Sequence, residues 1–84
     1  MIKKITIRDV DVWITIDKLV THQIDDRNVL VDTGLFVSYF KFVPPPGITY
    51  GEVVLHPDGY PRVFETIEGA IVFTTEYVQV NFNI

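Results

Sequence analysis

The sequence predicts an all-β fold, a small antiparallel β-sandwich or partly open barrel of six to eight strands with at most one short helix. Three observations predict it. Apolar and polar residues alternate over long stretches, these stretches are rich in Val, Ile, Thr and aromatic residues, and Gly or Pro residues separate several of them. With 84 residues, the chain is expected to form one domain, residues 1–84.

The clearest alternation lies in residues 9–17. The even-numbered positions are aliphatic and share one face, whereas the odd-numbered positions are polar apart from Trp13. Residues 2–7 are a second predicted strand, continuous with the first through a bend. Residues 17–26 fit either a two-turn helix capped by Asp17 or a further strand.

The middle of the chain predicts a short strand at 28–32, a turn at Thr33-Gly34 and a strand at 35–43. The last of these is apolar on both faces. A strand of that kind lies centrally between two layers or at a subunit contact.

The C-terminal half predicts strands at 48–56 and 70–83. Residues 61–69 could be a helix, with Pro61 at its first position and Gly69 after its last, but their alternation favours a strand. Residues 48–67 then form a hairpin that turns at His56-Pro57-Asp58-Gly59, a β-turn sequence. Gly51 is expected at a bulge or a close backbone approach.

The composition excludes several classes of function. The chain has no cysteine, which rules out disulfides, thiolate catalysis and cysteine-bound zinc or iron–sulfur clusters. It has no secretory signal pattern and no apolar run of about 20 residues, so we expect a cytoplasmic protein without a membrane contact. The net charge of −4 opposes nucleic-acid binding and suits a basic partner.

No constellation of catalytic or metal-ligating residues stands out. Asp9 and Asp11 could pair on one strand face, but they more simply solvate it and block edge pairing. The two histidines, His22 and His56, are far apart in sequence, and Ser38 lies between phenylalanines without a glycine-flanked elbow. We therefore expect no enzyme, no metal and no cofactor.

The candidate binding residues are aromatic side chains and the proline-bracketed hairpin. Trp13 interrupts a polar strand face and needs cover from a loop, a subunit or a ligand. The prolines in 44–61 also prevent edge pairing, and they make the hairpin a stiff protrusion with a low ordering cost on binding. The predicted binding residues are Trp13, Tyr39, Tyr50, His56, Asp58, Tyr60 and Arg62.

These features predict a non-enzymatic β module that self-associates and binds another protein. Short, acidic, cysteine-free β proteins occur among viral accessory and virion structural proteins, which is an analogy only. Two alternatives stay open at this point: a small-ligand-binding barrel with an aromatic-lined pocket, and an acidic inhibitor that mimics nucleic acid on a basic partner.

Overall fold

The computed structural model of the chain describes residues 1–23, 29–43 and 51–84. They form four strands and one helix, namely β1 (Ile2–Ile7), β2 (Val10–Gln23), β3 (Val29–Lys41), β4 (Glu52–Val53) and α1 (Ile67–Phe82). The strands pair antiparallel in chain order as one open sheet, and α1 packs on one face of it. The predicted antiparallel β fold is confirmed in this coarser form. Neither a fifth strand nor a second sheet is found in the described part.

A tight turn joins β1 to β2. Ile7 pairs with Val10, and the two residues between them, Arg8 and Asp9, have φ of 47° and 69°. Positive φ at both central residues is typical of the type I′ turn, whose twist matches that of the flanking strands. The chain therefore reverses here, and the prediction of a bend between continuous strands was wrong.

A bulge interrupts the pairing of β2 with β3. The register shifts between Leu19 and Val20, so that Thr33 and Gly34 are extra residues on β3. Thr33 Oγ1 donates to the carbonyl oxygen of Leu19 at 2.7 Å. Residues 29–41 are thus one strand, which corrects the predicted turn at Thr33-Gly34. Of the two alternatives for 17–26, residues 17–23 are strand and the remainder lies outside the described residues.

The Asp32 carboxylate stabilises the bulge. It accepts a hydrogen bond from the backbone N–H of Gly34 at 2.8 Å and lies 3.4 Å from Lys18 Nζ. The backbone hydrogen bond chiefly, and Lys18 in addition, lower the pKa of this exposed carboxyl below its ordinary value.

The β2–β3 pair extends beyond the rest of the sheet. β1 extends only as far as the backbone bonds between Met1 and Ile16. Among the described residues, the segment after β4 bonds β3 at Ser38, through Val54, and no further along than Phe36, through Phe64. Among the described residues, 18–23 and 29–35 pair only with each other, and we call this pair the ribbon. The ribbon explains why the radius of gyration is 14.3 Å, against about 12 Å expected for a compact chain of this length.

The C-terminal segment is a helix, so the predicted strand over 70–83 was wrong. Thr66 caps its start by accepting a hydrogen bond from Gly69 N at 3.0 Å. Asn83 ends it in the left-handed conformation, and Ile84 N donates to the carbonyl oxygen of Gln79. The helix has 16 residues, so it is longer than the one short helix that the sequence allowed. The described segment before it forms isolated β-bridges at Pro61 and Phe64 and no continuous strand.

The core lies between α1 and one face of the sheet. Phe40 is at its centre, with ring centroids 5.8 Å from Tyr77 and 5.5 Å from Phe82. The buried helix positions Ala70, Thr74 and Val78 recur every four residues and face the sheet. The other buried side chains of the core cluster come mainly from the strands: Ile7, Val12, Ile14, Ile16 and Val54.

Candidate functional site

The structure distributes the predicted binding residues that it describes over three surfaces. Trp13 and Tyr39 lie on the sheet face opposite α1, which we call the outer face. His56 and Arg62 line a cleft between the hairpin and α1. Asp58 and Tyr60 lie at the exposed tip of the hairpin, whereas Tyr50 lies outside the described residues.

The outer face is defined by the strand alternation. Ile14, Ser38 and Phe40 point towards α1, because Ser38 contacts Thr74 and Phe40 contacts Tyr77. Their chain neighbours Trp13 and Tyr39 therefore point to the opposite side. In the described part of the chain α1 packs on the side of Ser38 and Phe40, so the two-faced apolar strand predicted at 35–43 has the helix on one face only.

Lysines flank Trp13 on the outer face. Lys4 and Lys41 are its partners on the neighbouring strands, and Lys4 Nζ lies 5.8 Å from the centroid of the indole ring. The sequence suggested aspartates as neighbours, but Asp9 lies in the turn. Asp11 is held by Lys4 at 3.6 Å and accepts a hydrogen bond from Thr6 at 2.8 Å. Asp9 and Asp11 thus do not form a carboxylate pair along one strand.

Next to Tyr39 the outer face contains a shallow apolar groove of about 440 Å³. One wall comes from the strands and the other from the extended segment that precedes α1. No charged side chain lines this groove among the described residues. Its lining residues are Leu19, Val37, Tyr39, Val53, Pro61 and Val63.

The hairpin tip folds as the sequence predicts. Gly59 N donates to the carbonyl oxygen of His56 at 2.9 Å, which closes the predicted β-turn, and His56 N donates to Tyr60 O at 2.8 Å. The Asp58 carboxylate accepts from Tyr60 N at 3.1 Å. Tyr60 is left 72% exposed, so its ring is available to a partner.

The cleft lies on the other side of the same hairpin. The Arg62 guanidinium stacks over the Phe73 ring at 4.4 Å, and the space beside it measures about 300 Å³. Sequence reasoning missed the helix residues of this cleft, because the segment that carries them was predicted to be a strand. The full lining is Leu55, His56, Pro57, Arg62, Phe73, Tyr77 and Asn81.

The described residues contain neither a cluster of metal-ligating side chains nor a membrane-spanning helix. Within residues 1–23, 29–43 and 51–84, no three His, Asp or Glu side chains come together in a way that could hold a metal ion. Over the same described residues, no helix combines the length and apolar character that crossing a membrane requires.

Comparison with known proteins identifies no relative of this chain. No protein-family model, no curated protein and no solved structure matches this chain.

Proposed function

We propose that this protein is a non-enzymatic interaction module that self-associates through the outer face of its sheet. The observation that carries the proposal is the apolar groove beside Tyr39, on the sheet face opposite α1. A sheet normally buries one face against a second layer and solvates the other with polar side chains. Here the face opposite the helix also has an apolar part, the groove beside Tyr39.

A second copy of this chain is the occupant that the charges favour. On the outer face, Lys4 and Lys41 flank Trp13, and Lys4 also pairs with Asp11 at 3.6 Å. Asp17 lies four residues from Trp13 along β2, about 13 Å away. In such a dimer the outer faces of the two copies face each other, and a two-fold axis runs between the two sheets, across the strands, near Thr15. This axis would place each Trp13 and its lysines opposite the partner's Asp17. Two self-complementary patches of this kind are what an isologous interface requires.

The exposed aliphatic residues of this face also support association. Ile2 is 56% exposed beside Thr15, and Val63 is 45% exposed at the rim of the groove. Large contiguous apolar patches on small proteins mark interaction sites. Burial of Trp13 and Tyr39 between two copies would add aromatic residues of the kind that dominate interface energetics.

A matched pair of lysine substitutions tests the proposal. Val63→Lys places a charge at the groove, and Val80→Lys places the same charge on the helix surface, where Val80 is 80% exposed. We expect the parent protein to have an integer multiple of the 9.7 kDa chain mass in native mass spectrometry and light scattering. Val63→Lys should weaken this assembly at least about tenfold, because the ammonium would lose its hydration in the interface. Val80→Lys should leave it unchanged.

Two results would contradict self-association through this face. One is a parent protein that stays a single chain at concentrations of about 100 μM, far above the range of functional dimers. The other is an assembly that Val80→Lys dissociates and Val63→Lys does not.

The hairpin tip is the proposed contact for a different protein. Tyr60 and Asp58 project into solvent from a turn whose backbone is held by its own hydrogen bonds. Such a preordered protrusion loses little conformational entropy on binding. The link to viral accessory or virion proteins stays an analogy from size and composition.

A further inference from the structure

We infer that the cleft between the hairpin and α1 binds a small organic anion, a carboxylate or phosphate group attached to a flat apolar body. This site is separate from the outer face, since Arg62 and Val63 point to opposite sides of the same extended segment. The inference therefore does not depend on self-association.

The charge of the cleft is the first argument. Arg62 supplies a permanent positive charge, and none of the described residues that line the cleft is acidic. No carboxylate of the described residues lies within ion-pair distance of Arg62, although the chain as a whole has a net charge of −4. A cation without a counterion among the described residues, in an otherwise acidic protein, is suited to an anionic ligand.

The position of the guanidinium is the second argument. Its central carbon lies over the Phe73 ring, 4.4 Å from the centroid, and its Nε is shielded from solvent with no hydrogen-bond acceptor among the described residues. Buried arginine donors normally have acceptors. The guanidinium carries several N–H donors in a planar fork, a geometry that suits the recognition of an oxyanion.

The walls of the cleft define the body of the ligand. Phe73 and Tyr77 supply ring surface with centroids 6.4 Å apart, and Leu55 and Pro57 add apolar contacts. The volume of about 300 Å³ is at the lower end of small-molecule sites. His56 is a further polar side chain at the wall, next to the turn.

The test uses three probes that share one ring: benzoate, phenyl phosphate and the neutral benzyl alcohol. Each is titrated into ¹⁵N-labelled protein to about 10 mM, a range that captures the weak affinities of fragments. We expect saturable shifts of the amides of His56, Arg62, Phe73 and Tyr77 and of the Arg62 Nε–H with one or both anions. Benzyl alcohol should bind at least about tenfold more weakly, because it lacks the charge. Which anion binds more tightly identifies the oxyanion class.

Two arginine variants form the matched pair. Arg62→Gln should weaken anion binding about tenfold or more, whereas Arg8→Gln removes the same charge from the β1–β2 turn and should have no effect. Arg62→Lys keeps the charge without the fork and should bind with intermediate affinity. If Arg62→Gln disturbs the fold, Tyr77→Phe is the second variant to use. It keeps the aromatic ring at the cleft wall and should retain the binding of benzoate.

Three results would overturn the inference: no saturable shift in the cleft with either anion, equal binding of benzyl alcohol, or equal weakening by Arg8→Gln and Arg62→Gln. Repeating the titration with Val63→Lys separates this result from the self-association test. Binding by a dissociated Val63→Lys protein supports the cleft whatever the state of the assembly.

Discussion

Ser38 forms a hydrogen bond with Thr74 of α1, and the direction of this bond can be assigned. Thr74 Oγ1 donates its only hydrogen to the carbonyl oxygen of Ala70 at 2.7 Å. In the 2.6 Å contact between Ser38 and Thr74, the threonine oxygen is therefore the acceptor and Ser38 is the donor. Both side chains are fully buried, so this bond links β3 to α1 away from water.

The direction of this hydrogen bond predicts unequal effects of removing its two ends. Ser38→Ala leaves Thr74 bonded to Ala70 and should cost about 0.5–1.5 kcal/mol. Thr74→Val leaves the buried Ser38 hydroxyl without its acceptor and should cost about 1–3 kcal/mol. Urea unfolding of both variants measures the two costs.

The double variant is the control for this pair. In Ser38→Ala with Thr74→Val no unpaired hydroxyl is left, so the combined loss should be smaller than the sum of the single losses. A larger cost for Ser38→Ala than for Thr74→Val would contradict the assigned direction.

The surroundings of Ser38 were predictable from the sequence, but its partner was not. Alternation correctly places it in a strand between Phe36 and Phe40, where it has no catalytic elbow. Thr74 is 36 residues away, in a segment with strand-like alternation. Local pattern contains no information about a contact over that separation.

Gly51, at the start of β4, shows how one element depends on the absence of a side chain. Its φ is 98°, and a Cβ there would overlap the carbonyl oxygen of Phe40 and lie 2.7 Å from Lys41 Cβ. The close backbone approach predicted from the sequence is thereby confirmed. A glycine is required both by the backbone conformation and by the space.

Gly59 provides a matched control for a substitution of Gly51. Its φ of 92° is similar, but a Cβ there would have no atom within 4 Å. We expect Gly59→Ala to cost about 1–2 kcal/mol, the strain of the left-handed backbone alone. Gly51→Ala should cost at least about 1–3 kcal/mol more, since β4 must also move away from β3. Equal losses in thermal or urea unfolding would show that the close approach has no energetic weight.

The helix is the element that sequence reasoning placed wrongly. Its residues are largely β-branched or aromatic, and exposed Val72 and Val80 continue the apparent alternation. Intrinsic preferences of this size are overridden by tertiary contacts. The informative signals were the Thr66 cap and the four-residue spacing of Ala70, Thr74 and Val78, both of which were visible in the sequence. The Pro61 and Gly69 pattern was misleading, because α1 begins at Ile67 and Gly69 lies in its first turn.

At the scale of the whole molecule, the ribbon is the part with the least support. A two-stranded hairpin is marginally stable in water, and among the described residues neither β1 nor β4 pairs with the ribbon. We expect the paired amides of 20–23 and 29–32 to exchange with solvent at least about 100-fold faster than those of 12–16 and 36–40. Hydrogen exchange followed by NMR on dilute protein measures this difference. Uniform protection along β2 would contradict it.

The strand at 35–43 is the part of the overall architecture that the sequence predicted best. It was predicted to be apolar on both faces, and the structure places Val37 and Tyr39 on the outer face and Phe36 and Phe40 towards the core. The sequence could not reveal which side remains open. That depends on where α1 packs, and the helix was not predicted.

The bulge at Thr33 and Gly34 determines which changes of length the chain can accept. Because the insertion contains two residues, it adds one full repeat of the pleat, and Asp32 and Leu35 stay in phase with Val20 and Leu19. Removal of one of the two residues would shift the side-chain alternation of β3 by half a repeat. The side chains of β3 beyond the deletion would then point to the opposite face of the sheet. Removal of both would only straighten the ladder. Insertions and deletions at this point are therefore compatible with the fold in even numbers and disruptive in odd ones.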